Sequence, residues 1–186
     1  VGANVDGYRE VFKHEQLWIG YRNTVFYMVL GVICKLSATI PLGFALSNKE
    51  LYGRSLFTFL IVFTMFFGGG LIPQYLLVAK YLGMYNSIWA LIIPALVSPF
   101  QVILCRTYFM SAIPDELKDA ARIDGCGYFQ VFFRIALPLA KPIIAVLGLF
   151  TAVGMWNLWF PALLYINDTD KYPLQLVLRD ILVVQT

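Results

Sequence analysis

Apolar and polar positions in this chain come in long blocks rather than in the short alternations of a soluble fold. Residues 55–79, 81–105 and 142–167 contain no Asp, Glu, Lys or Arg. At about 1.5 Å per residue, a helix over any of these windows reaches roughly 37 Å, more than the roughly 30 Å hydrocarbon core of a bilayer. A fourth block, 24–47, is apolar except for Lys35. Its apolar neighbours offset the cost of one mid-bilayer lysine, about 2.5 kcal/mol or more on insertion scales. The pattern predicts four membrane-spanning helices, at 24–47, 52–72, 87–108 and 139–164.

Glycine and proline punctuate these blocks. Pro41 predicts a kink in the first span. Gly68-Gly69-Gly70 followed by Pro73 predicts an early end to the second, then a short returning helix over Pro73–Leu82 closed by Gly83. Pro94 and Pro99 predict a kinked or locally unwound third span, and Pro142, Gly148 and Gly154 fall in the fourth. Residues 1–18 mix charges with Val11, Phe12, Leu17 and Trp18. They predict a short helix on the membrane surface, with Trp18 and Tyr21 in the interfacial aromatic belt.

Composition sharpens the class. The chain of 186 residues is 60% hydrophobic and 13% charged, against about 25% charged in an ordinary soluble domain, which excludes a lone soluble core. A net charge of +3 without a basic run argues against nucleic acid as a partner. Cys34, Cys105 and Cys126 are odd in number and widely spaced, and His14 is the sole histidine; neither a disulfide framework nor a metal site follows. The sequence starts at Val1 with neither an initiator Met nor a signal-peptide pattern. With an end soon after a span, this reads as a fragment of a longer membrane protein.

The one sizeable polar stretch, 111–134, separates the third and fourth spans. Pro114 suits a helix start, Asp115-Glu116 place negative charge in its first turn, Asp119 is spaced to pair with Arg122, and Asp124-Gly125 stop it. Ile113, Leu117 and Ala120-Ala121 fall at i, i+4, i+7 and i+8, a narrow apolar face whose alanines let another backbone approach closely. Such a face suits docking into a partner's groove, and equally packing on the parent protein.

The residues from Pro114 to Pro142 resemble the EAA loop of ABC importer permeases: Glu-Ala-Ala, three residues, Gly, nine residues, then Ile-x-Leu-Pro. Ala120, Ala121, Gly125, Ile135, Leu137 and Pro138 match at the family spacing, and Asp119 stands where the family has Glu. Trp18–Thr24, Phe67–Pro73 and Trp156-Asn157 look like the sugar-importer branch, in particular permeases for oligo- and polysaccharides. The resemblance implies an all-α polytopic bundle of the type I importer permease fold, with four helices of a six-helix core in this chain. It implies a non-enzymatic subunit of the bacterial plasma membrane, working with a second homologous permease, two cytoplasmic ATPase subunits and an extracellular solute-binding protein.

By that resemblance 111–138 is the cytoplasmic coupling loop, and Glu116, Leu117, Asp119, Ala120, Ala121, Asp124 and Gly125 engage the ATPase. Residues 1–18, 74–86 and 165–186 then face outward. Seven Lys/Arg fall inside and six outside, so the positive-inside rule adds little. The sequence has no Gly-x-x-x-x-Gly-Lys-Ser/Thr loop, so no cofactor is expected in this chain, and ATP and Mg²⁺ belong to the ATPase partners.

Three residues are candidates for the solute path. Lys35 ionises within a span and either meets solute or faces a water-filled gap or a partner subunit. Trp156 and Asn157 offer a stacking ring and an amide suited to a sugar, or to packing between helices. The Gly68–Gly70 run either forms part of an outer gate or only ends a helix. Rival readings are a permease for a non-sugar solute, a channel or scaffold without an ATPase, and an intramembrane enzyme. The last lacks converging catalytic groups at membrane depth.

Overall fold

The computed structural model describes residues 15–184, which form helices and turns with no strand among them. Helix α1 spans Glu15–Ser47 and α2 Arg54–Phe66. Helix α3 covers Leu71–Leu76 and continues as a π-helical turn to Tyr81; α4 covers Trp89–Ile92 and tightens into a 3₁₀ turn to Ala95. Helices α5 (Pro99–Ala112) and α6 (Asp115–Ile123) follow. Next come α7 (Tyr128–Val131), a π turn over Phe132–Ala136, and α8 (Leu137–Leu139). The chain ends in α9 (Lys141–Trp156), α10 (Trp159–Tyr165) and α11 (Leu174–Val184).

Among the described residues one helix, α1, is by itself long and apolar enough to cross a membrane. Up to four spans result if three broken helices each count as one: Arg54–Phe66 with Leu71–Tyr81, Trp89–Ala95 with Pro99–Ala112, and Tyr128–Leu139 with Lys141–Trp156. The helix bounds differ from those read off hydropathy. α1 begins nine residues before position 24, because Glu15 to Asn23 continue its backbone ladder, and it runs on through Pro41. The surface helix expected over 1–18 lies, for residues 1–14, outside the described part, and Glu15–Trp18 belong to α1. The region expected as one span at 139–164 is interrupted at Asn157-Leu158. These breaks have local causes: Gly70 sits at φ 86°, Pro99 follows an extended Ser98, and Pro142 follows the turn at Ala140.

The chain folds as two compact units, each assembled from three sequence segments. The first takes the residues up to Val32, then Gly70–Pro94, and those from Thr151 on. Its buried polar groups staple the start of α1 to the 165–174 segment. Asn23 donates its amide to the carbonyls of Asp170 (2.7 Å) and Tyr172 (3.2 Å), and the Tyr27 hydroxyl donates to the Lys171 carbonyl. Thr24 Oγ1 accepts from the Leu174 amide at 2.8 Å. Asn86, at φ 57°, accepts through Oδ1 from the amides of Asn167 and Asp168. In a chain this apolar, buried hydrogen bonds supply the directionality that burial of hydrocarbon lacks.

The second unit takes Ile33–Gly69 and Ala95–Phe150. Its core joins Ile40 of α1, Cys105 and Phe109 of α5, Ile113, Phe132, Ala136 and Ala140, and Ile143 and Leu147 of α9. Phe44 packs edge-on against Phe109 and tilts onto Phe132, at centroid separations of 5.5 and 5.1 Å. Ile113 and Phe132 flank α6 in sequence and are both buried, so the core holds each end of the segment that carries it.

Candidate functional site

Helix α6 is closed at both ends by local backbone chemistry. At its start Pro114 is extended, and its carbonyl accepts from the Leu117 amide. At its end Gly125, at φ 76°, donates to the Arg122 carbonyl and Cys126 to the Ala121 carbonyl, both at 2.9 Å. This is the paired C-terminal bond pattern that a left-handed glycine permits. A Cβ at position 125 would meet nothing within 4 Å, so a bulky residue there acts through backbone strain, about 1–2 kcal/mol, rather than collision.

Three ion pairs tie α6 to itself and to the α1–α2 loop. Lys49 donates to Asp115 Oδ2 at 2.7 Å and Lys118 to Oδ1 at 3.1 Å. Arg122 grips Glu50 with both terminal guanidinium nitrogens, Nη1 at 2.7 Å from Oε1 and Nη2 on Oε2. The Tyr128 hydroxyl receives a bond from Arg122 at 2.9 Å, donates to Glu50 at 3.1 Å, and its ring lies 5.5 Å below the guanidinium carbon. The expected pair within the helix, Asp119 with Arg122, does not form, because Arg122 is engaged by the planar fork of Glu50, which fits its guanidinium bidentately. Lys49, Glu50 and Tyr128 are the residues the sequence reading passed over. Their signal was two adjacent opposite charges in a short loop between apolar blocks.

The electrostatics follow. Hydrogen bonds from Lys49 and then Lys118 hold the Asp115 carboxyl down at about 2, from an ordinary 3.8. Glu50 is lowered, chiefly by Arg122. A carboxylate depressed in the folded state stabilises above its ordinary value and loses that contribution as pH falls through the folded one. The bracing of α6 by Asp115 should therefore be complete at neutral pH and fade between about pH 4 and pH 2. A carboxyl titration followed by NMR checks this: Lys49→Gln with Lys118→Gln should return Asp115 to about 3.9, the unperturbed value.

The apolar face expected on α6 is divided by the fold. Ile113 and Ala121 are turned inward, 1% and 4% exposed, whereas Ala120 is exposed and Leu117 is 38% exposed. At 100° per residue, Glu116, Asp119, Ala120 and Ile123 share the opposite, outward side. All four are exposed, Ile123 to 87%, and Asp124 and Gly125 are exposed at the helix end. Of the seven residues assigned to coupling, the structure presents six outward and packs Ala121 against its own chain. Ile123, absent from that set, is the most exposed apolar side chain on this helix, at 87%.

The path candidates are not brought together as one cluster within either unit. Trp156 and Asn157 lie in the first unit, at the end of α9. Trp156 meets Tyr21 edge-on at 6.1 Å, and Asn157 donates its amide to the Val153 carbonyl of its own helix at 2.9 Å. Lys35 is half-buried in the second unit, one turn from Thr39. Gly68 and Gly69 have open space around them and follow the end of α2.

A sequence model of the family described as binding-protein-dependent transport system inner membrane component matches residues 17–181. Among curated proteins, the chain is 43% identical to protein LplC of Bacillus subtilis (strain 168), over 97% of this chain and 60% of LplC. It is 40% identical to the polygalacturonan/rhamnogalacturonan transport system permease protein YtcP of the same organism, over 98% and 63% of the two chains. It is 31% identical to the arabinooligosaccharides transport system permease protein AraQ of Halalkalibacterium halodurans, over 96% and 64%. Among solved structures, a chain of a bacterial ABC transporter involved in the import of the acidic polysaccharide alginate superposes with a TM-score of 0.90 at 36% identity, covering 96% of this chain and 63% of that one. The chain thus spans 60 to 64% of the length of these relatives.

Proposed function

The chain belongs to the family of binding-protein-dependent transport system inner membrane components, and from that premise we propose that it serves as the membrane subunit of an ATP-driven importer of oligo- or polysaccharides. The all-α permease fold is common to it and to the alginate transporter chain. In this reading 111–138 is the cytoplasmic loop and α6 is the part gripped by an ATPase. Two such ATPases bind ATP and Mg²⁺, a second permease completes the path, and an external binding protein delivers solute.

The observation that carries the reading is the outward face of α6, with Ala120 and Ile123 exposed between the acids Glu116 and Asp119 on a helix braced from behind. A free loop helix would yield to a push. This one is clamped to the α1–α2 loop through Lys49 and Glu50, and to α5 and α9 through the core around Ile113 and Phe132. Force applied to its outer face is delivered to the α1–α2 loop, α5 and α9 as a near-rigid displacement. The choice of carbohydrate rests on the likeness to permeases named for polygalacturonan, rhamnogalacturonan and arabinooligosaccharides.

Purification of the full-length protein from its native membrane, followed by reconstitution into proteoliposomes with labelled oligogalacturonides or arabinooligosaccharides inside and out, tests this. An ATPase should co-purify and accumulation should require ATP. Solute flux without ATP, with no ATPase bound, would instead identify a channel.

A further inference from the structure

At the end of the second unit that carries α6, two arginines converge on one carbonyl. Arg54 at the start of α2 donates through Nε to the Leu46 oxygen at 2.9 Å, and Arg106 of α5 donates through Nε to the same oxygen at 3.2 Å. Neither forms an ion pair with a carboxylate of the described residues. Among the described residues the guanidinium of Arg54 has one further hydrogen-bond contact, a 3.5 Å approach of Nη2 to Met110 Sδ, a weak acceptor. Two guanidinium groups are thus held side by side with most of their donors unused. Like charges at such range repel, and an anion between them reverses the sign of that interaction.

The two arginines, with Ser55, Thr58, Phe59 and Val62, line a cleft of about 480 Å³. Among the described residues Thr58 Oγ1 is buried without a hydrogen-bond partner, an unusual condition for a hydroxyl and one that a χ1 rotation toward an acceptor in the cleft would relieve. The cleft is chemically graded. Arg54 and Ser55 open α2, Arg106 faces them from the second half of α5, and Phe59 and Val62 lie one to two turns beyond Arg54 toward the apolar middle of α2. Helix α2 has no buried residue and Phe59 is 62% exposed, so the apolar part of the cleft opens sideways onto the zone where hydrocarbon tails lie. A phosphate takes paired bonds from arginine forks and further bonds from hydroxyls. A ligand that joins such a phosphate to hydrocarbon fits both halves of the cleft, whereas free phosphate fits one.

We infer that the Arg54–Arg106 cleft binds the phosphate headgroup of an anionic phospholipid. That the lipid belongs to the cytoplasmic leaflet rests on the proposed function, which places α6 on that side. A basic pocket between helix ends at that surface is where such headgroups are held. The headgroup would bridge the start of α2 and the second half of α5 beside the same loop that clamps α6, so lipid occupancy and rigidity of the coupling segment are linked.

Native mass spectrometry of the full-length protein, with whatever subunits co-purify, tests the inference in detergent containing equal phosphatidylglycerol and phosphatidylcholine. Phosphatidylglycerol should be retained preferentially, and Arg54→Gln with Arg106→Gln should reduce that retention about tenfold or more. Thr58→Val, which keeps the side-chain shape, should reduce it several-fold in protein that assembles normally, and so guards against misfolding of the double variant. Three results would overturn the inference: equal retention of phosphatidylcholine, unchanged retention in both variants, or displacement of the lipid by an equal concentration of inorganic phosphate, which would mark a site for soluble phosphate. Failure of the importer reading would show separately, as the absence of an ATPase in the same spectra with lipid retention intact.

Discussion

Ile123→Asp should lower ATP-driven uptake about thirtyfold or more while leaving the protein inserted and folded. Ile123 is 87% exposed on the outward side of α6, so the substitution removes little packing within the chain. In a partner's cleft the same change replaces an apolar anchor with a charge that has no counter-ion. Losses at such centrally placed positions reach about 2 kcal/mol or more, roughly thirtyfold in affinity. Uptake by proteoliposomes, with the amount of ATPase retained on the purified protein, gives the measurement. Unchanged uptake and retention would remove α6 from the coupling path. Ala121→Asp, the choice that sequence alone recommends, is a poorer test. Ala121 is 4% exposed against its own chain, and a buried aspartate would first detach the helix from its support.

A second large effect is expected within the helix packing, at Gly43 of α1. A Cβ there would stand 2.7 Å from Cys105 Sγ, 2.8 Å from Cys105 Cβ and 3.2 Å from the Arg106 amide nitrogen. Two of these atoms belong to or adjoin the α5 backbone, so rotation of a side chain cannot relieve the contact and α1 and α5 must separate. Overpacking of this kind costs about 1–3 kcal/mol. Gly43→Val, with two further carbons, should lower the thermal midpoint of the purified protein and reduce its yield severalfold. Gly31→Ala makes an instructive comparison. The atoms nearest an added Cβ there are Cε and Sδ of Met155, the far end of a flexible side chain. That variant should lose much less, and equal losses at the two positions would refute the distinction between backbone and side-chain collision.

Much of the coupling segment could be read from residues in order. Pro114, the acids at 115 and 116, and Gly125 belong to one short stretch, and capping chemistry acts over a few residues, so the observed limits of α6, Asp115–Ile123, follow closely from them. The division of its face was not legible. Helical spacing groups Ile113, Leu117, Ala120 and Ala121 on one broad side, but which part of that arc turns inward depends on the core around Phe132 and Phe109. The partners of Asp115 and Arg122 were hidden for a related reason: Lys49 lies 66 positions from one and Glu50 lies 72 from the other.

Taken alone, the order of residues determined that this chain is an all-helical membrane protein, where its apolar blocks fall, and that a capped polar helix separates the last two. These properties depend on hydropathy, glycine and proline, all of which act locally. Tertiary structure decided where the blocks break, which side of α6 is presented, what braces it, and that Arg54 and Arg106 meet at Leu46. Such outcomes require surfaces distant in sequence to be brought within a few ångströms, and only the packed helices set that geometry.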